Sequence, residues 1–209
     1  SYEDQWVYQA SGGGGSVSIT NTVFQDNNRP NRNDTSHRDV ANPWTGQGGW
    51  NFYLVGNILF NTPGHASDQP QGDEFLLQVG YGGGTTPLNE VIAYNNVCYN
   101  TARFIAFGSK NSGVKTFKVY NNTIRNVINA GDIGVGVTSP AIYPTTANNI
   151  GNGYSSPGFV NGSSPLGADG IPFTTDDGFN LTATSPAINK GSSVGVPTDI
   201  SGKVRDSAP

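Results

Sequence analysis

Three aspartates stand at the start of similar phrases along the chain. Asp4 opens "DQWVYQASGGGG", Asp39 opens "DVANPWTGQGG" and Asp73 opens "DEFLLQVGYGGG". If these phrases are strands of neighbouring coils in one register, the carboxylates form a column with a spacing of about 5 Å. Like charges that close raise one another's pKa or share a cation, so the column predicts a Ca²⁺ site or a pair of carboxyl groups for glycoside cleavage. The alternative is that each aspartate caps a turn through backbone amides.

Residues that could assist such chemistry lie next to these aspartates in the sequence. His37 could act as a general base near neutral pH, although an ordinary loop position is the alternative. Arg38 and Glu74 could bond to sugar hydroxyls, and the rings of Trp44 and Trp50 could support the apolar face of a sugar. Together they predict a cleft that binds polysaccharide.

A second group of carboxylates lies in "GADGIPFTTDDG" at residues 167–178. Asp169, Asp176 and Asp177 stand there among glycines, and oxygen-rich loops of this type can bind Ca²⁺. Their spacing does not match the EF-hand loop, so a plain turn is the alternative.

An internal repeat must position these residues. Similar phrases reach an Asn or Gly at positions 21, 56, 95, 121 and 148, in steps of 35, 39, 26 and 27 residues. Alternating apolar residues precede each of these positions, which is typical of a strand with one buried face. The predicted inward columns are Val17, Phe52, Val91 and Phe117, and then Ile19, Leu54, Ala93 and Val119.

A second family of strands repeats with the same period. It begins at the three aspartates and continues in "RFIAFGSK" from 103 and "DIGVGVTS" from 132, with Leu77, Ile105 and Ile133 in one column. Because one coil cannot bury its apolar edge alone, coils of this kind stack and pair with their neighbours. The sequence therefore predicts an all-β fold of parallel coils.

The asparagines that end the repeated phrases have a predicted structural role. Asn95, Asn121 and Asn148 fall at equivalent bends, where side-chain amides about 4.8 Å apart can bond to one another. We expect an inward asparagine ladder there, and surface turn residues are the alternative.

The coil pattern and the end of the chain resemble the right-handed parallel β-helix family of secreted bacterial proteins, the superfold of the pectin lyases. The closing phrase of that family, "F.L...SPAI..G" and then "D..G..R", is carried by Phe179, Leu181, Ser185, Pro186, Ala187, Ile188, Gly191, Asp199, Gly202 and Arg205. The resemblance implies a right-handed parallel β-helix (β-solenoid) of about five coils over residues 1–158 and an irregular, loop-rich segment packed on it over 159–209. It also implies an extracellular or cell-surface location.

In the polysaccharide lyases that share this fold, a basic residue removes a proton from a uronate whose carboxylate is neutralised by Ca²⁺ or an arginine. The resemblance implies that Arg103, Lys110 or Arg38 takes this role on an acidic glycan. The rival hypothesis is a non-catalytic surface or fibre module that serves as a rigid spacer. The first coil opens without a cap, so further coils or a partner chain are expected at that end.

Tyrosines fall on the outward positions of the other strand family. Tyr53, Tyr94 and Tyr120, with Lys118, could form a ligand platform. Because a solenoid needs its exposed aromatic stripe covered, the sequence favours the alternative that the segment after Phe159 folds over this face.

The composition argues against several other classes of protein. Only 12% of the residues are charged and the formal net charge is -4, so the chain offers no field that would hold a nucleic-acid backbone. No apolar run is long enough for a membrane-spanning helix. Cys98 is the single cysteine, which excludes an internal disulfide and predicts a small buried residue.

Overall fold

The computed structural model describes residues 7–9, 15–26, 38–45, 49–61, 74–79, 88–99, 104–107, 115–125, 135–137, 145–150, 157–191, 193–195 and 203–204. The strands are β1 (Val7–Gln9), β2 (Ser16–Thr20), β3 (Val23–Asp26), β4 (Arg38–Thr45), β5 (Trp50–Val55), β6 (Ile58–Asn61), β7 (Glu74–Val79), β8 (Leu88–Tyr94), β9 (Val97–Tyr99), β10 (Ile105–Phe107), β11 (Thr116–Tyr120), β12 (Thr123–Arg125), β13 (Val135–Val137) and β14 (Thr145–Ala147). Strands β1, β4, β7 and β13 are described by their backbone pairing. Within these ranges there is no helix long and apolar enough to cross a membrane.

The strands form three sheets, which the chain visits in a fixed order. The first sheet has the order β1-β4-β7-β10-β13, the second β14-β11-β8-β5-β2 and the third β12-β9-β6-β3. Strands that pair are always three apart along the chain, and every pairing between them is parallel. We call each passage through the three sheets a coil. The prediction of an all-β fold with parallel strands in stacked sheets is confirmed, and the arrangement is compatible with a β-helix.

The register of the second sheet agrees with the predicted columns. Phe52 pairs with Val17 on one side and Val91 on the other, and Val91 then pairs with Phe117. The column that begins at Ile19 follows two residues later in the same strands. The residues of β5, β8 and β11 in both columns are buried, so the period-two alternation identified the buried face correctly.

The core lies inside the three sheets. Its fully buried side chains include Leu54 of the second sheet, Ile105 of the first, and Cys98 and Ile124 of the third. Removing one such aliphatic side chain from water stabilises the fold by about 1.5 to 3 kcal/mol. The burial of Cys98 confirms its prediction as a small core residue.

The predicted column of the first sheet is correct for one step and wrong for the next. Leu77 pairs with Ile105 as expected. Ile105 then pairs with Val135, not with Ile133. The prediction assumed that the spacing stays constant from coil to coil, whereas the chain between these two strands is two residues longer.

A ladder of asparagines follows the bend between the second and third sheets. Its members are Asn57, Asn96, Asn122 and Asn149. The side-chain Nδ2 of each donates to Oδ1 of the next at 3.1, 2.9 and 3.0 Å, and the backbone N–H of each donates to the same oxygen. The first three are fully buried, so their polar groups are satisfied by the ladder where water is excluded.

The asparagines predicted to form the ladder have a different role in the same bend. Asn95, Asn121 and Asn148 have φ values of 57°, 57° and 53°, and Asn21 and Gly56 occupy the equivalent positions at 49° and 68°. This left-handed conformation is least costly for Gly and Asn. The predicted ladder was wrong by one residue, because the left-handed residue makes the turn and the residue after it enters the core.

The described part of the C-terminal segment packs on the outer face of the third sheet. The ring of Phe179 lies 5.7 Å from that of Phe60 and 5.3 Å from that of Tyr99, between centroids. Phe159 contacts both Phe179, at 4.9 Å, and Tyr99, at 6.0 Å. An antiparallel bridge between Phe159 and Leu181 holds the segment together behind these rings.

The described ring contacts of this segment are with the third sheet, and the expectation that the segment covers Tyr53, Tyr94 and Tyr120 stays a prediction, since most of residues 192–209 lie outside the described residues. Those tyrosines belong to the second sheet, whose outward positions also carry polar side chains. The third sheet instead turns Ile58 and Phe60 outward. Covering this apolar surface removes more nonpolar area from water than covering the partly polar face of the second sheet would.

The serine of the "SPAI" phrase closes the C-terminal segment on itself. Ser185 is buried, and its Oγ donates to the carbonyl of Pro157 at 2.6 Å and accepts from the N–H of Ala187 at 3.1 Å. Gly158, at a φ of 75°, lies directly against Ser185, where an added Cβ would stand 2.7 Å from the serine Cβ. Beyond the phrase, Gly191 lies next to Asn121 at the bend.

Candidate functional site

The outer face of the second sheet brings together the aromatic and polar side chains that could bind a ligand. We call it the tyrosine face and define it by Asn51, Tyr53, Glu90, Ile92, Tyr94, Lys118 and Tyr120. These residues alternate along β5, β8 and β11 with the buried core columns, so strand geometry places them all on one surface. Each is half-buried.

Two of the tyrosine rings are stacked. Tyr94 and Tyr120 are direct partners in the register of β8 and β11, and their ring centroids lie 5.5 Å apart with an angle of 13° between the planes. Burial raises the pKa of the Tyr94 hydroxyl most, and the charges of the neighbouring Tyr120 and Glu90 raise it further. That hydroxyl therefore remains protonated and able to donate a hydrogen bond at neutral and mildly alkaline pH.

The other end of the tyrosine face is polar. The hydroxyl of Tyr53 donates to Oε2 of Glu90 at 2.7 Å, and this bond is the main reason that the pKa of Tyr53 is raised. The amide of Asn51 donates to the Ser16 hydroxyl at 3.2 Å. A carboxylate is thus held in place beside an aromatic ring.

The chemistry of this face suits a sugar. Aromatic rings offer apolar surfaces to a pyranose, while carboxylate, amide and ammonium groups bond to its hydroxyls and charged substituents. Equivalent positions recur in successive coils about 4.8 Å apart, so a chain-like ligand can meet similar groups more than once.

The cleft predicted around the aspartates would lie at the first sheet. There the register pairs Arg38 with Glu74, and Asp39 with Phe75. Asp39 and Asp73 are therefore not partners in one column, because the step between them is two residues shorter than the register requires. Arg38 and Glu74 are direct partners on adjacent strands, which is the proximity that a common binding site requires.

Several predicted site residues cannot be placed. Asp4, His37, Asp73 and Arg103 lie outside the described residues. Trp44 stands near the end of β4, whose side chains lie outside the description too. Their proposed roles stay predictions.

Trp50 is a core residue, so its predicted role as a sugar platform is wrong. It begins β5, is 8% exposed and belongs to the main apolar cluster. Gly15 lies against its ring so closely that an added Cβ would come within 2.6 Å of Cζ3. The indole is enclosed by its own fold and has no open face for a sugar.

In the acidic loop, Asp169 and Asp176 cap turns. Oδ2 of Asp176 accepts from the N–H groups of Ala168, at 2.7 Å, and Asp169, at 3.3 Å, and its Oδ1 accepts from the Thr174 hydroxyl at 2.7 Å. Oδ1 of Asp169 accepts from the N–H of Ile171 at 2.8 Å. The hydrogen bonds that Asp176 accepts hold its pKa below the usual value, and the bond from the Thr174 hydroxyl contributes most.

Asp177 is the buried member of the loop. It is 5% exposed, and its Oδ2 accepts from the N–H groups of Phe173, at 2.6 Å, and Thr174, at 3.1 Å. Burial raises the pKa of this carboxyl despite the two amide donors. Within the described ranges, no group of three His, Cys, Asp or Glu side chains is placed to hold a metal ion.

The two neighbouring aspartates should respond oppositely to pH. Because the pKa of Asp177 is raised on folding, the native state binds this proton more tightly, and the group costs stability as the pH rises above the ordinary pKa of an aspartate. Asp176 has a lowered pKa and adds stability over the acidic range as it ionises. Thermal melts against pH should show Asp177→Asn gaining on the natural protein as pH rises and Asp176→Asn falling behind. Parallel curves for the two variants would contradict this assignment.

Comparison of the chain with protein-family models, curated proteins and solved structures finds no match. The class that the structure itself defines is an all-β protein with parallel strands in stacked sheets, one of which has an aromatic and polar outer face.

Sequence reasoning overlooked three members of the tyrosine face. Asn51, Glu90 and Ile92 were not singled out, although each stands two or four residues before an outward tyrosine already recognised, Tyr53 or Tyr94. The alternation of the strands was the signal that could have found them.

Proposed function

We propose that this chain is an extracellular or cell-surface protein that binds polysaccharide on a right-handed parallel β-helix of about five coils. The C-terminal segment with the "SPAI" phrase serves as its lateral cover. The observation that carries the proposal is the tyrosine face. The described part of the cover lies on the third sheet, while the second sheet presents stacked tyrosines, a carboxylate and an ammonium group together.

Substitution of the stacked rings should weaken binding to a polysaccharide. If the contact of one ring with a sugar is comparable to a contact between two rings, about 0.5 to 1.5 kcal/mol beyond burial, Tyr94→Ala or Tyr120→Ala should each raise the Kd by about twofold to tenfold. Affinity electrophoresis against alginate, pectate and glycosaminoglycans, followed by calorimetry on the glycan that binds, measures this. The exposed Val160 of the cover provides the control, and Val160→Ala should bind normally. Equal binding by all variants would remove the tyrosine face from the proposal.

A catalytic form of this proposal is a polysaccharide lyase that acts on an acidic glycan at the first sheet. The observation that favours it is the pairing of Arg38 with Glu74 on adjacent strands. The site would also use His37, Asp39, Asp73, Arg103 and Trp44. New ultraviolet absorbance or new reducing ends from a bound glycan would support the enzyme, whereas binding without cleavage supports a non-catalytic module.

A structural spacer is the rival proposal from a different class of protein. A rigid module would need no ligand on the tyrosine face, and its partners would join at the ends of the stack. The glycan screen separates the two proposals, because a spacer should bind none of the polymers.

We also propose that Ca²⁺ binds the chain at the first sheet, beside Asp4, Asp39 and Asp73. Close carboxylates repel one another unless a cation or hydrogen bonds compensate. A cation that binds only the native state stabilises it by about 2.7 kcal/mol at a hundredfold excess over its Kd. The melting temperature should rise with calcium and fall with a chelator, and the double variant Asp39→Ala, Asp73→Ala should lose that response.

A further inference from the structure

Tyr94 and Tyr120 are placed for chemistry as well as for binding. They end paired strands, so the backbone ladder, and not chance side-chain motion, fixes the distance between their rings. The rings are parallel within 13°, their centroids are 5.5 Å apart, and both are half-buried, which leaves part of each phenol accessible to a small oxidant. Among the described side chains this is the one tyrosine pair in ring contact.

We propose that Tyr94 and Tyr120 form an oxidative cross-linking site, at which a peroxidase acting with hydrogen peroxide joins the two rings as dityrosine. The product would tie the third and fourth coils together covalently. This inference is independent of the polysaccharide proposal.

The reaction balances on these two side chains and one peroxide. Each phenol loses one electron and its hydroxyl proton to the oxidant, and the resulting radical places spin density on the ring carbons next to the oxygen. One such carbon of each ring joins the other in a new C–C bond. The hydrogens on those carbons then move to the phenol oxygens, so that both rings become aromatic again. The protein loses two hydrogen atoms, and one hydrogen peroxide becomes two waters.

The face-to-face arrangement favours coupling inside one molecule. Radical carbons bond through the faces of their rings, and stacked rings already present these faces to each other. Holding two reactants in place in this way replaces a collision with an intramolecular step. The other described outward tyrosine, Tyr53, is engaged with Glu90, and Tyr99 meets phenylalanine rings edge-on under the cover.

An internal disulfide cannot compete with a dityrosine link in this chain. Cys98 is the single cysteine and is buried in the core, so an internal disulfide is excluded. A dityrosine would close the segment between Tyr94 and Tyr120, which restricts the unfolded chain in the way that a disulfide does.

Oxidation of the dilute whole chain with a haem peroxidase and limiting hydrogen peroxide tests the proposal. We expect a monomer that is lighter by two hydrogen atoms, has dityrosine fluorescence and a raised melting temperature, and yields one linked peptide pair containing Tyr94 and Tyr120. The variants Tyr94→Phe and Tyr120→Phe keep the stacked rings but should not form the link. The control Tyr99→Phe should form it normally. Links that join separate molecules, map to other tyrosines or persist in Tyr94→Phe would overturn the proposal, as would a lack of product under conditions that couple free N-acetyltyrosine.

Discussion

Asn96→Ala should be among the most destabilising single substitutions in this protein. The side chain of Asn96 is fully buried, its Nδ2 donates to the carbonyl of Leu54 at 2.8 Å, and its Oδ1 accepts from the backbone N–H of Asn57 at 2.9 Å. Alanine leaves those groups buried without partners, at about 1 to 3 kcal/mol each. We expect a loss of about 3 to 5 kcal/mol in the free energy of unfolding, a large part of the stability of an ordinary domain. Urea denaturation with linear extrapolation measures it.

The neighbouring residue supplies a matched control. Asn95 has a φ of 57° and does not belong to the ladder, and Gly56 occupies the equivalent position one coil earlier. Asn95→Gly therefore keeps the turn and should change stability by no more than about 1 kcal/mol. If the two variants unfold at the same urea concentration, the ladder does not have the importance that its burial implies.

Phe179→Ala should release the C-terminal cover from the third sheet. Phe179 is 8% exposed and contacts the rings of Phe60, Tyr99 and Phe159. Truncation of a buried phenylalanine costs about 3 to 5 kcal/mol. Because the cover packs on the outside of the coils, we expect this cost to appear first as local opening, seen as new protease cleavage within residues 157–191 and faster amide exchange there.

A surface substitution in the same segment separates local opening from general damage. Ile171 is 58% exposed, and Ile171→Ala should change stability by less than about 0.5 kcal/mol and leave cleavage unchanged. Should Phe179→Ala unfold the coils and the cover together in one transition, the segment is an integral part of the core and not a separable cover.

Much of the fold was accessible from the sequence because strands repeat every two residues and coils repeat along the chain. The columns through Val17 and Ile19 depend on this alternation alone, and the structure confirms them. The pairing register within a sheet could be predicted wherever the spacing between strands was regular. The prediction of register was wrong at Ile133 and at Asp73, because the connections there differ in length and no local sequence pattern indicates the difference.

The bend and the cover were harder to predict, for different physical reasons. In "YNN" either asparagine can adopt φ > 0, and only the backbone geometry decides that the first turns and the second enters the core. The cover could have packed on either outer face, since the choice between Phe60 and Tyr94 depends on the total apolar area of each sheet. The candidate site changed for a related reason. The predicted cleft depended on the register of the aspartates in the first sheet, whereas the tyrosine face depends on the alternation and register of the second sheet.

The asparagine ladder makes the coil a unit that can be inserted or removed as a whole. Every rung contributes the same donors in one direction and the same acceptor in the other, so any two rungs are chemically interchangeable neighbours. Deleting residues 96–121 would join Asn95 directly to Asn122, which restores a turning residue followed by an inward one. A gene for such a chain can therefore lengthen or shorten its product by whole coils through unequal recombination, provided that each break falls at the same position of the bend.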